Sequence, residues 1–349
     1  TPAVVRLRAL GKDKPALVFG GGYDPNQDLG TPASDTMGRA LYVVDGTTGD
    51  VLRQFTDGDL AAGSMAYSLP ADPVALNTDM DGQGLADRVY IGDTGGNLFR
   101  FDVDDATPGN WTGGRIANLS ATGATRKILF APVMVKESYK GQDYDAVYVG
   151  TGDREKPLNA SATDLVAMVK DPDTGLTSSY ALAGTLAKMV DTTDIAGSVD
   201  ASDSSHYYNE AAFNSTVSNT TWAARSGWYY RLPTGKKVVN AMAVLENTLY
   251  VPTYSPSESL SDCLPNGLGE MYVFNARSGT APDFITGTKS GKQHILFGTD
   301  SRGYMEPMRG LLLNGKPTTF RVNENARVET NNLKGAGTAK IFWYRERTR

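Results

Sequence analysis

One unit keeps returning along this chain of 349 residues. LYVVDGTTGDVL begins at Leu41, LFRFDVDDATPG at Leu98 and MYVFNARSGTAP at Met271, with looser copies VAMVKDPDTGLT from Val166 and WYYRLPTGKKVV from Trp228. Each copy is a short apolar and aromatic run followed by a polar turn that reaches a glycine. Period-two alternation leading into Thr-Gly or Ser-Gly marks a half-buried strand entering a hairpin. A second strand-like run precedes most copies: ALVFGGGYD from Ala16, DRVYIGDTGG from Asp87, DAVYVGTGDR from Asp145 and NTLYVPTYSP from Asn247. The run-closing residues Asp45, Asp102, Asp171, Arg231 and Asn275 lie 57, 69, 60 and 44 residues apart. This is one supersecondary unit with loops of unequal length.

A lone four-stranded blade cannot bury both of its faces, whereas blades stacked in a ring cover one another. The repeat therefore predicts an all-β fold, a modified β-propeller of about 6–7 blades of mostly four strands. Five units are clear, and HILFGTDSRGYM and AKIFWYRER leave room for more. A β-sandwich is the rival architecture, but it rarely repeats so regularly. Residues 1–349 are expected to form a single propeller domain. Residues 173–226, rich in Ser, Thr, Asp, Asn and Ala, break the rhythm. They read as a long insertion between blades, with a short helix near Leu182 to Val190.

Composition narrows the function classes. Hydrophobic content of 40% with 21% charged residues is that of an ordinary globular protein. The 38 glycines and 17 prolines suit many tight turns, and 17 Tyr, 11 Phe and 4 Trp favour pleated sheet. A net charge of -5 argues against a nucleic-acid footprint, and no apolar run is long enough to predict a transmembrane segment. The chain starts at Thr1 without a signal-peptide pattern, so a processed product or fragment is expected. Cys263 is the sole cysteine, which rules out an internal disulfide and a cysteine-cluster metal site. It reads as an unpaired loop thiol, the alternative being a bond to a cysteine outside these residues.

The stretch NTDMDGQGLADRVYIGDTGG, from Asn77, crowds Asp79, Asp81 and Asp87 around Gly82 and Gly84. Carboxylates so close repel one another unless a cation sits among them. Counted from Asp79, the loop offers carboxylates at positions 1, 3 and 9, the Gln83 amide oxygen at 5, the Leu85 main-chain carbonyl at 7 and Gly84 at 6. That is the ligand order of an EF-hand loop, and its all-oxygen donors select Ca²⁺ over softer metals. Two features depart from the pattern. Gln83 replaces a shorter residue, and Tyr90 stands where the closing bidentate Glu would be. The expected affinity is accordingly weak, roughly micromolar to millimolar. An ordinary Asp/Gly turn is the plainer reading.

Nothing in the sequence assembles a catalytic constellation, so the chain is not expected to be an enzyme. His206 and His294 lack metal-pair spacing, and no nucleophile elbow nominates a serine. GTGDREKPL, from Gly150, packs Asp153, Arg154, Glu155 and Lys156 together and reads as a self-paired charged turn. Gly20 to Gly22 lack a nucleotide-binding continuation and are expected to let blades approach closely. VVDGTTGDVL resembles quinoprotein repeats, but such dehydrogenases add a neighbouring cysteine pair that one cysteine cannot supply.

DMDGQGLADRVYIGDTGGNLFRFDV, DAVYVGTGDREKPL, GWYYRLPTGKKVV, NTLYVPTYSPS and AKIFWYRER, taken in order, resemble the C-terminal propeller of the PilC/PilY family of type IV pilus-tip proteins. The resemblance implies a C-terminal domain of a larger secreted protein, at the pilus tip or outer-membrane surface of a Gram-negative bacterium. It implies roles in pilus biogenesis, twitching motility and host-cell adhesion, with pilins or minor pilins and a host-cell receptor as partners. It also implies that the acidic loop binds calcium and tunes pilus extension against retraction. The family pattern falls on Asp79, Asp81, Gln83 and Asp87, with Leu85 giving its carbonyl. The competing class is a structural scaffold in which calcium only staples a turn.

Overall fold

A computed structural model describes residues 1–29, 34–79, 81–120, 126–180, 184–193, 210–256, 267–282, 295–300, 307, 309–313, 316–322 and 328–332. His206, Cys263 and His294 lie outside the described residues.

Strands dominate, and they group by chain order. The first sheet is β1 (Ala3–Arg6), β2 (Pro15–Gly20), β3 (Leu41–Asp45) and β4 (Val51–Phe55), paired in that order. The second sheet runs from β6 (Val74–Leu76) through β7 (Arg88–Gly92) and β8 (Asn97–Asp102) to β9 (Thr112–Asn118), with β5 (Leu60–Ala62) also on β9. The third sheet contains β10 (Val133–Tyr139), β11 (Gln142–Gly150) and β12 (Leu165–Asp171). Two short strands, β13 (Gly184–Thr185) and β14 (Val190–Asp191), precede helices α1 (Glu210–Thr216) and α2 (Asn219–Ala223) and then β15 (Gly227–Arg231). The fourth sheet holds β16 (Lys237–Val238), β17 (Ala243–Leu245), β18 (Thr248–Pro256), β19 (Gly267–Asn275) and β20 (Ile295–Asp300). A fifth holds β21 (Arg309–Leu313), β22 (Lys316–Val322) and β23 (Val328–Asn332).

Every apolar run of the repeat is a strand, and the turns explain why. Asp45 accepts the backbone N–H groups of Thr47 and Thr48, and Gly49 turns at φ +83°. Asn275 does the same for Arg277 and Ser278, with Gly279 at φ +67°. The acceptor at the strand end and the left-handed glycine four residues on are what the repeated sequence encodes.

The unit at Trp228 differs from its sequence reading. WYYR is β15, and it pairs antiparallel with β12, so two units share one sheet. Residues 173–226 therefore connect neighbours within a sheet rather than separate blades. Nor do the described residues 184–190 of the expected helix form one. Gly184–Thr185 and Val190–Asp191 are strands flanking a single 3₁₀ turn, Leu186–Lys188. β13 lies parallel on β9 and β14 parallel on β15, so this stretch stitches the second sheet to the third. Partners on two different sheets fix that geometry, which local propensity cannot foresee.

Three apolar clusters lie in the seams between consecutive sheets. Val18, Val43 and Phe55 pack with Val89, Ile91 and Phe101. Tyr90, Leu98 and Ile116 pack with Val147, Val149 and Leu165. Tyr148, Met168 and Trp228 pack with Val251, Tyr272 and Phe274. Each such side chain removed from water contributes about 1.5–3 kcal/mol. At one end of these seams the chain entering each sheet is strapped to the sheet before it. Gly22 N–H donates to Leu69 O, Ile128 N–H to Asp93 O and Val238 N–H to Thr151 O. The second-strand glycines make room for this strap. A Cβ on Gly20 would fall 2.1 Å from Leu69 O, and one on Gly92 would fall 2.2 Å from Ile128 Cγ2. The close blade approach expected at the Gly20 to Gly22 run is present. The whole is an all-β, propeller-like stack, and its described sheets do not close into a ring.

Candidate metal centre

The acidic stretch is the hairpin loop joining β6 to β7, which meet at the Leu76–Arg88 pair. Asp87 is its anchor. Buried at the start of β7, its carboxylate accepts the N–H groups of Thr78 and Asp79 at 2.7 and 2.8 Å and the Thr78 hydroxyl at 2.9 Å. Burial pushes this carboxyl above its ordinary pKa, against the pull of those three donors. Asp79 accepts Asp81 N–H at 3.0 Å, and Asp81 accepts Gln83 N–H at 2.8 Å. The loop thus climbs through successive Asx turns, eased by Gly82 and Gly84 at φ +76° and +69°. The Gln83 N–H holds the Asp81 carboxyl below its usual range, helped by the Asn77 amide and Arg8. Leu85 is buried, while Asp79, Asp81 and Gln83 face solvent.

All five expected donors therefore sit on one hairpin loop, and their chemistry suits a hard cation. Among the described residues, however, no three His, Cys, Asp or Glu side chains converge as a metal group. Asp87 is turned into the loop's own hydrogen bonds. Arg8 approaches the loop, its Nη2 3.9 Å from Asp81, while its main partner is Asp104 at 3.0 Å.

Immediately behind the loop lies a buried ion cluster that sequence reading did not find. Arg88, the residue after Asp87, contacts Asp102, Asp145 and Asp173 at 3.0, 3.2 and 3.2 Å. Arg100 contacts Asp171, Asp102 and Asp173 at 2.7, 3.0 and 3.0 Å. Both guanidinium groups are wholly buried. Tyr90 donates to Asp171 and Tyr180 to Asp102, and Lys136 completes the set on Asp145. The cluster bolts the second sheet to the third. Its signal was an arginine set inside apolar runs, as in LFRFD and DRVYIG, whose partners lie up to 85 residues away.

The charged run at Gly150 is also resolved differently from its sequence reading. Asp153 pairs at 2.9 Å with Lys127, a buried residue of the strap ahead of β10 that also meets the Tyr23 hydroxyl. The run is tied to a neighbouring segment through Asp153 rather than paired only within itself. A polar cleft of about 390 Å³ beside the first sheet is lined by Met37, Arg39, Tyr42, Gln54 and Asp57. Its two charged groups are committed to the main chain, since Arg39 donates to Met65 O and Asp57 accepts Met65 N–H.

Stacked β-blades joined by straps, with an acidic hairpin at one blade's leading edge, define a propeller-like domain. Comparison with known proteins agrees. A type IV pilus biogenesis factor PilY1 homolog from Xylella fastidiosa (strain Temecula1) is 27% identical over 289 residues, covering 76% of this chain. The chain spans 18% of that protein's length. The crystal structure of the Pseudomonas aeruginosa PilY1 C-terminal domain superposes with a TM-score of 0.63 at 16% identity, over 95% of this chain and 71% of that one. BamB from Moraxella catarrhalis aligns over 96% of this chain and 92% of its own at 10% identity, with a TM-score of only 0.29. No protein-family profile matches the chain. In sequence the chain is similar to a PilY1 homolog, and in fold to the PilY1 C-terminal domain.

Proposed function

We propose that this chain is the calcium-binding C-terminal domain of a type IV pilus biogenesis factor. The relationship to the Xylella protein over 76% of the chain carries the pilus assignment. Calcium is supported by the donor set: Asp79, Asp81, Gln83 and Asp87 side chains and the Leu85 carbonyl, all oxygen and all on one hairpin. In this reading a bound cation supplies the positive charge that lets Asp79 and Asp81 approach. The loop then stiffens the leading edge of β7 and alters a surface read by a pilin or minor pilin. Work at the pilus tip or outer-membrane surface, in twitching motility and adhesion to a host-cell receptor, belongs to the same proposal. The domain acts by binding and not by catalysis, a reading supported by the committed partners of the charged groups in the polar cleft.

Calorimetry with CaCl₂ and thermal unfolding in calcium or chelator test the metal. At a hundredfold excess over its Kd, calcium should stabilise the wild type by about 2.7 kcal/mol. Asp81→Asn should abolish that gain while leaving stability in chelator nearly unchanged, because Asp81 faces solvent. No heat beyond dilution at millimolar calcium, or an Asp81→Asn variant with a full response, would overturn the assignment. If such variants are secreted and pili still extend and retract normally, calcium is a structural staple and not a regulator.

A further inference from the structure

We propose that the outward face of the first sheet is a blade-to-blade seam, and that its partner is a further β-sheet carried by polypeptide outside these 349 residues. Cross-strand register builds the face. Val4 stands opposite Leu17, Leu17 opposite Val44, and Val44 opposite Val51, one apolar row across all four strands. Beside it Phe19 stands opposite Tyr42, their rings stacked with centroids 5.5 Å apart. Val4 is 69% exposed and Val51 57% exposed, and none of the six belongs to any of the three seam clusters.

The other sheets show what such a face is for. β7, β8 and β12 are buried along their whole length, because each has a neighbouring sheet on both sides. Even the far face of the fourth sheet, with Tyr250, Met271 and Val273, is fully buried. Leu41-Tyr42-Val43-Val44 is a continuous apolar run, the pattern of a strand buried on both faces, yet alternate residues of β3 are left partly open. An apolar patch spanning a whole sheet marks an interface, and a second sheet packs on such a face at about 10 Å. Polypeptide is available to supply it. The superposed PilY1 domain extends beyond the matched 71% of its chain, and the Xylella protein is several times longer than the aligned region.

Site-directed labelling decides the point. In a Cys263→Ser background, Val51→Cys and, separately, Val4→Cys are treated with a maleimide, and modification is quantified by peptide mass spectrometry. The 349-residue chain is compared with the full-length gene product, with Lys12→Cys on an exposed turn as control. Both sites should react as fast as the control in the shorter chain and at least about tenfold slower in the longer one, where reaction requires the seam to open. Equal, fast reaction in both proteins overturns the proposal. So does protection already present in the shorter chain: if independent of concentration, the chain's own C-terminal residues cover the face, and if concentration-dependent, a second copy does.

Discussion

Asp87 and Arg88 are adjacent in sequence and opposite in task. Asp87 holds the acidic loop together through Thr78 and Asp79, so its replacement would damage the loop with or without calcium. That is why Asp81, which faces solvent, is the cleaner probe of metal. Arg88 lies wholly inside the protein among Asp102, Asp145 and Asp173. Removing one partner of a buried ion pair strands the others without solvent. Arg88→Met should therefore cost about 3–5 kcal/mol in denaturant unfolding. Arg8→Met, at a partly exposed pair with Asp104, should cost about 0–1 kcal/mol. Similar losses at the two sites would mean the buried cluster is not the inter-sheet bolt described above.

At the scale of elements, the device that repeats is the strap over a glycine. Gly20 meets Leu69, Gly92 meets Ile128 and Gly150 meets Val238, each at the end of the second long strand of its sheet. The glycine is there because backbone and aliphatic side chain approach closer than any Cβ allows. Gly92→Ala would place a methyl 2.2 Å from Ile128 Cγ2, and should lower stability by about 1–3 kcal/mol through overpacking. A variant as stable as the wild type would show that the strap can shift freely. The short parallel strands β13 and β14 belong to this scale too, since each exists only because a neighbouring sheet edge receives it.

The molecule as a whole should be more stable in mild acid than at neutrality over one defined window. Burial raises the Asp93 carboxyl to about 7 and that of Asp164 to about 6, although hydrogen-bond donors from Gly95 and Asn97 oppose the rise at Asp93. Both therefore bind protons more tightly folded than unfolded, where the value is about 3.9. The stability they contribute is fully present below the unfolded value and is lost as pH rises through 6 and then 7. Asp24, Asp45 and Asp81, all lowered first by backbone N–H donors, act the other way, but only as pH falls below about 4. The melting temperature should thus fall between pH 5.5 and 7.5. The Asp93→Asn, Asp164→Asn double variant should flatten that slope, and comparison of the two proteins cancels the histidines common to both. An unchanged slope would mean both carboxyls stay ionised throughout.

Much of this protein was already written along the chain. Alternation fixed nearly every long strand, Asp45 and Asn275 with their glycines fixed the hairpin turns, and Gly20, Gly92 and Gly150 marked where neighbouring segments approach, because these are local properties of a few consecutive residues. The five oxygen donors on one loop are local in the same sense. Tertiary structure alone decided that β12 and β15 share a sheet, that residues 184–191 stitch two sheets, and that Arg88 and Arg100 sit among four aspartates. It also decided that Asp87 spends its carboxylate on the loop itself and that, among the described residues, the outward apolar face of the first sheet stays partly open. Each of these depends on which distant segment arrives as a partner, and a sequence pattern only a few residues long carries no term for that.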